Sequence, residues 1–130
     1  MKNTPQLENG YTRVSNQLLE QVAKQKLNGT QVKIILVVWR FTYGFNRKSH
    51  QISLSFLAEA ISTSKSVVKK ELDKLIELNV LKVVKEATFS NPREISFNKY
   101  FKEWGIPIGV QSINKDTVSQ ESSSQYTNRS

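Results

Sequence analysis

Residues 53–79, SLSFLAEAISTSKSVVKKELDKLIELN, decide the fold. They read as a short helix, a tight polar turn and a second helix whose opening turns carry lysines without an acid, the layout of a helix-turn-helix. Val68, Leu72, Leu75, Ile76 and Asn79 recur at three- and four-residue spacing and mark the buried stripe of the second helix, with Val67 and Leu78 on its margins. Ser64, Ser66, Lys69, Lys70 and Asp73 fall outside that stripe.

The order of charge along this helix is informative. A helix dipole favours acids near the N-terminus and bases near the C-terminus. Here Lys65, Lys69 and Lys70 come first, and Glu71, Asp73 and Glu77 follow, mixed only with Lys74. Each misplaced charge costs about 0.3–1 kcal/mol at an exposed helix end, and a bound phosphate reverses the sign. The plainer account is that lysine is a soluble, good helix former. On the binding account, Ser64, Lys65, Ser66, Lys69 and Lys70 are the candidates for reading base edges in a major groove.

The 130 residues carry a net charge of +8 and a pI near 9.8, which implies one small domain with an anionic partner, nucleic acid first among them. From Gln111 onward nearly every residue is Ser, Gln, Asn, Thr or charged, too polar to offset chain entropy. The expected division is an N-terminal arm over residues 1–14, a domain over 15–105 and a polar linker or disordered tail over 106–130. There is no cysteine, which removes disulfides and thiolate metal sites and makes the cytoplasm the default location. The most apolar run, Val32 to Trp39, is far too short to span a bilayer, and the N-terminus lacks a signal-peptide apolar region, so no membrane association is expected.

An enzyme is the weakest class, and no cofactor is expected. His50 is the single histidine, without a carboxylate cluster or a thiol beside it, and no glycine loop of the kind that cradles phosphates is present.

Upstream, a helix is expected from Ser15 or Asn16 that buries Leu18, Leu19, Val22 and Ala23 and stops at Asn28-Gly29. Thr30 then caps a central buried helix over residues 31–43, ended by Gly44, even though its β-branched content alone favours a strand. A loop over 45–49 leads to a short strand around 51–53, and Ser53 or Ser55 caps the next helix. Downstream, strands are expected over 80–85 and 93–97 around a turn at 88–92, which contains Asn91-Pro92. The whole is a mainly α, α+β winged helix with a C-terminal β-hairpin wing. Lys82, Lys85 and Arg93 on the hairpin either meet the DNA backbone or merely solvate an edge. Phe97, Tyr100, Phe101 and Trp104 at three- and four-residue spacing predict a final short helix, its aromatic stripe either packed in the core or forming a symmetric dimer contact.

The passage WRFTYGFNRKSHQISLSFLAEA, residues 39–60, resembles the N-terminal domain of the phage replication protein O family, the origin-binding initiators of lambda-like phages. ENGYTRVSNQLLEQVAKQKLNGTQ, residues 8–31, is similar to the opening segment of that family, so the likeness runs from Glu8 to about Trp104. Its specific part is the aromatic-basic run Thr42, Tyr43, Gly44, Phe45, Asn46, Arg47 and Lys48. Within that run Tyr43 and Phe45 are expected to pack on the helices, with stacking on bases as the alternative. Arg47 and Lys48 are expected at phosphates, with loop solvation as the alternative. The resemblance implies double-stranded DNA bound at repeated origin sequences, a homodimer, and a separate C-terminal region, absent from this chain, that recruits the replicative helicase or its loader. One departure is at the turn, where Ile61, Ser62 and Thr63 stand in place of a family-like Thr-Gly-Ile. A prophage or plasmid winged-helix transcriptional regulator is the alternative on the same scaffold. A winged helix that binds protein instead of DNA is the third reading.

Overall fold

A computed structural model describes residues 5–106. Residues 1–4 of the expected arm and all of the expected tail except Ile106 lie outside the described residues. The architecture is α+β and mainly helical, with α1 (Asn16–Lys24), α2 (Gly29–Phe41), β1 (Ser49–Gln51), α3 (Leu54–Ala60), α4 (Lys65–Glu77), β2 (Leu81–Lys85) and β3 (Glu94–Phe97) in chain order.

Local chemistry sets most boundaries. Ser15, Ser53 and Ser64 cap α1, α3 and α4, each accepting a hydrogen bond from the backbone N–H three residues on. The expected stop at Asn28-Gly29 is overturned. Asn28 is the N-cap of α2, its side chain accepting from Gln31 N at 2.8 Å while Gln31 Oε1 accepts from Asn28 N at 3.0 Å. This reciprocal pair satisfies two helix-end donors at once, so the cap falls on Asn28 and not on Thr30, and α1 ends at Lys24. At the other end α2 closes at Phe41, not Tyr43, because buried Thr42 turns back on it. The Thr42 hydroxyl donates to Val38 O at 2.7 Å, and its carbonyl accepts from Phe45 N and Arg47 N. Gly44 lies inside the 3-10 turn Tyr43–Phe45 that follows, and Asn46 takes the left-handed conformation, φ 55°.

The turn between α3 and α4 holds its left-handed residue at Ser62, φ 55°, while Ile61 is buried in the core. Apolar packing is therefore kept although no glycine is present, and the left-handed strain of a Cβ is accepted at Ser62.

The three strands form one antiparallel sheet in the order β1-β3-β2, so the last strand in sequence is the middle one. Ser49 pairs with Ser96 and Gln51 with Glu94 on one side, and Leu81 pairs with Phe97 and Val83 with Ile95 on the other. An irregularity between Val83 and Lys85 leaves Val84 out of register and exposed. The early strand is shifted from its expected place: it spans Ser49–Gln51, with Ile52 buried behind it and Ser53 already capping α3.

The core lies between α2, α4 and the sheet. Ile34, Ile35 and Val38 of α2 meet Val68, Leu72 and Leu75 of α4, Leu57 of α3, and Leu81, Ile95 and Phe97 of the sheet. Leu18 and Val22 of α1 join this core, but Leu19 and Ala23 face outward, as does Leu36 of α2, so the expected α1 stripe is narrower than four residues.

The expected final helix does not form. Phe97 is spent on β3, and buried Asn98 then redirects the chain: its side-chain amide donates to Asn79 O at 2.8 Å and to Glu103 Oε1 at 3.1 Å, and its carbonyl accepts from Trp104 Nε1 at 2.8 Å. Only the 3-10 turn Phe101–Glu103 follows. Phe97 and Trp104 pack edge to face, as do Phe97 and Trp39, so these aromatics belong to the core, while Tyr100 stays exposed. Ile106 is buried as well, one residue past the expected domain end.

Candidate nucleic-acid interface

The buried stripe of α4 fixes which of its faces is free. With Val68, Leu72 and Leu75 pressed into the core, Ser64, Lys65, Ser66, Lys69 and Lys70 are all exposed. Ser64 is engaged as the cap, and its hydroxyl lies 3.3 Å from that of Ser66. Lys65 and Lys70 make no ion pair with a described residue, and the first turn contains no acid. The helix start therefore presents unopposed positive charge added to a positive dipole end, an arrangement that favours an anion.

Lys69 differs from its neighbours. Its ammonium sits 2.7 Å from Asp73, one turn on, and Asp73 also faces Arg93 of the hairpin at 3.8 Å. Arg93 reaches Glu86 across the hairpin at 3.9 Å. A chain of four charges thus links α4 to the hairpin arm, and two of the residues singled out from the sequence, Lys69 and Arg93, are held by it. These contacts are largely exposed and contribute little to stability, roughly 0–1 kcal/mol each. The hairpin is held beside α4 by the shared core, and these pairs set Arg93 next to Asp73. Lys85, at the end of β2, is exposed and takes no part in the chain.

Arg47 and Lys48 lie elsewhere. They immediately precede β1, which is the edge strand opposite β2. The Arg47 guanidinium stands 4.8 Å from the Phe45 ring centre, and its Nε donates to Phe41 O at 2.9 Å, capping the end of α2. Lys48 shares a shallow cleft of about 230 Å³ with Lys82 and Lys99 on the sheet. Lys99 was not foreseen, because in sequence it is an isolated lysine among aromatics and only the strand register brings it near Lys48. Lys82 is paired with Glu103 at 3.6 Å.

The aromatic-basic run is only partly packed. Tyr43 is half-buried against Phe97, and that burial raises its pKa. Phe45 is 50% exposed, stacked on Phe41, with the Arg40 guanidinium 5.1 Å from each of the two rings. His50 stacks on the Phe41 ring at 6.0 Å. Burial and the nearby Arg47 charge lower the His50 pKa, with Glu94 opposing them. Glu71, acidic and early in α4, is used structurally: it accepts from Asn28 Nδ2 and Gln31 Nε2 and ties α4 to the capping box of α2.

Among the described residues no cluster of His, Cys, Asp or Glu is placed to hold a metal ion, and no helix is long and apolar enough to cross a membrane.

The chain is a small α+β domain whose exposed, basic helix start lies beside the β2–β3 hairpin. The family model for bacteriophage replication protein O matches residues 3–104, and the chain belongs to that family. It is 34% identical over 103 residues to DNA replication protein gp18 of Salmonella phage P22, covering 79% of this chain and 35% of that protein. Replication protein O of Escherichia phage lambda is 31% identical over 106 residues, covering 82% of this chain and 30% of the relative. Replication protein 15 of Enterobacteria phage phi80 is 29% identical over 75 residues, 58% of this chain and 25% of its own. The chain thus spans about a third or less of the length of these curated relatives. No solved structure matches it.

Proposed function

We propose that this chain binds duplex DNA sequence-specifically at the repeated sites of a phage-type replication origin and so initiates replication. In this reading it is a winged helix in which α3 and α4 form the helix-turn-helix and the β2–β3 hairpin is the wing. The observation that carries it is the acid-less start of α4, where Lys65 and Lys70 stand exposed without carboxylate partners among the described residues. Ser66, Lys65 and Lys70 meet base edges or flanking phosphates, and Lys85 holds the backbone. Lys48, with Lys82 and Lys99, forms a second basic patch at the far corner of the sheet, for an adjoining stretch of backbone. Family membership supports the replication role.

The protein acts as a binding module without catalysis or cofactor, in the host cytoplasm. A homodimer is the assembly that repeated sites call for, with the outward Leu19 and Leu36 as apolar surface available to it. A replicative helicase or its loader is the next partner, and none of residues 5–106 is assigned to it.

Footprinting across the phage genome tests the proposal. Occupancy of clustered repeats at the origin is expected; occupancy of single operator sites at promoters would instead make this a regulator. Lys65→Ala is expected to reduce discrimination between specific and non-specific duplex by about 1–3 kcal/mol if it reads a base. Equal loss on both DNAs reassigns Lys65 to the backbone.

A further inference from the structure

The N-terminal segment and the end of α2 enclose a cleft of about 750 Å³ that the duplex-binding surface does not use. Arg13, Arg40, Tyr11 and Phe45 line it, and no carboxylate does so among the described residues. Both arginines are exposed, and neither makes an ion pair with a described residue. Arg40 is oriented by stacking over Phe41 and Phe45, each ring centre 5.1 Å away, so its N–H donors are held in place with no acceptor among the described residues. Arg13 lies 5.9 Å from the Tyr11 ring centre and donates to the Tyr11 hydroxyl at 3.3 Å. Tyr11 is 58% and Phe45 50% exposed, so the cleft has two aromatic surfaces open to solvent.

Gly44 lies close against the cleft. A Cβ there would stand 3.0 Å from Thr12 Oγ1 and 3.3 Å from Arg40 Nη1, so these two side chains would have to give by a few tenths of an ångström, and a branched side chain would crowd them further.

Cations fixed on aromatic faces, exposed rings and a concave shape together suit a ligand that is flat at one end and anionic at the other. A nucleotide has that form, and the volume is within the range that holds small organic ligands. Duplex DNA keeps its bases stacked and offers no ring to such a cleft, whereas an unpaired strand does. We infer that the cleft between residues 9–13 and 40–46 binds an unpaired nucleotide of single-stranded DNA, with phosphate at Arg13 and Arg40 and the base on Tyr11 or Phe45. Bound there, a separated strand is kept beside a domain whose other surface stays on the duplex.

The test is fluorescence anisotropy of the 130-residue chain with a labelled short oligothymidylate. Wild-type binding is expected, weakened about fivefold or more by Tyr11→Ala, since a base–aromatic stack contributes on that order, and left close to wild type by Tyr11→Phe. Arg40→Gln and Gly44→Val are each expected to weaken it as well. Duplex binding measured on the Tyr11 variants serves as the folding control and is expected to be unchanged. Equal affinity of the wild type, Tyr11→Ala and Arg40→Gln for the oligonucleotide overturns the site. Competition by deoxythymidine monophosphate as effective as by the oligonucleotide overturns the strand assignment in favour of a free nucleotide. Because the readout is single-stranded DNA, its failure leaves the duplex reading standing, and the reverse also holds.

Discussion

At Ser62 a single residue shows what a departure from a family-like sequence costs. Its φ of 55° is a conformation that glycine adopts freely and that a Cβ opposes by roughly 1–2 kcal/mol. Ser62→Gly recovers that strain but loosens the unfolded chain, so thermal unfolding is expected to show a gain of up to about 1 kcal/mol, and Ser62→Val a loss. His50 gives a second prediction, set by its neighbours. Its folded pKa is lowered by burial and by Arg47, so at neutral pH the imidazole is uncharged. The unfolded chain therefore binds the proton first as pH falls through the ordinary value of about 6.5, and stability is lost between that value and the depressed one. Proton NMR is expected to find the His50 midpoint below the ordinary value, and higher in Arg47→Gln. At this scale the sequence is legible where a residue acts alone, as in the cap of α3, expected at Ser53 or Ser55 and found at Ser53, and illegible where it acts through distant partners. Asn98 gave no sign that it would stop the final helix, because its partners Asn79 and Glu103 are brought to it only by the fold.

Among elements, Asp73 carries the charge contacts between α4 and the hairpin. This carboxylate holds Lys69 at 2.7 Å and Arg93 at 3.8 Å, so it withdraws two cations from the surface proposed to meet DNA. Asp73→Asn is expected to tighten duplex binding and to steepen its log-log salt dependence by up to about 0.9 for each phosphate newly neutralised. Stability is expected to change by less than about 1 kcal/mol, because the pairs are exposed. Unchanged affinity and slope in an anisotropy titration over several salt concentrations would place these cations away from the DNA. The helix pair and hairpin were readable from periodicity and turn residues, since a buried stripe of three- and four-residue spacing leaves few choices. The α1–α2 boundary was misread because Asn-Gly reads equally well as an ending and as a beginning, and only the reciprocal bonds of Asn28 and Gln31 decide between them. The Arg40–Phe41–Phe45 stack escaped notice for a related reason: spacing shows that aromatics and arginines are near in sequence, not that their planes lie together.

For the molecule as a whole, one core joins helices and sheet, with Ile34, Leu75 and Ile95 all fully buried in it. Loss of helix and loss of aromatic packing are therefore expected to coincide: far-ultraviolet circular dichroism and the fluorescence of Trp39 and Trp104 should share one thermal midpoint. Separate midpoints would mean that the sheet detaches on its own. The basic character of the chain pointed to an anionic partner from composition alone, but its separation into an α4 surface, a sheet corner and an arginine-lined cleft is a property of topology. The strand order has a further consequence, for synthesis. Because β3 lies between the other two, β1 leaves the ribosome with no mate and stays unzipped until residues 94–97 follow it out. A nascent chain therefore has its lysines long before it has a shape to hold them, and the surface proposed to meet DNA is completed late.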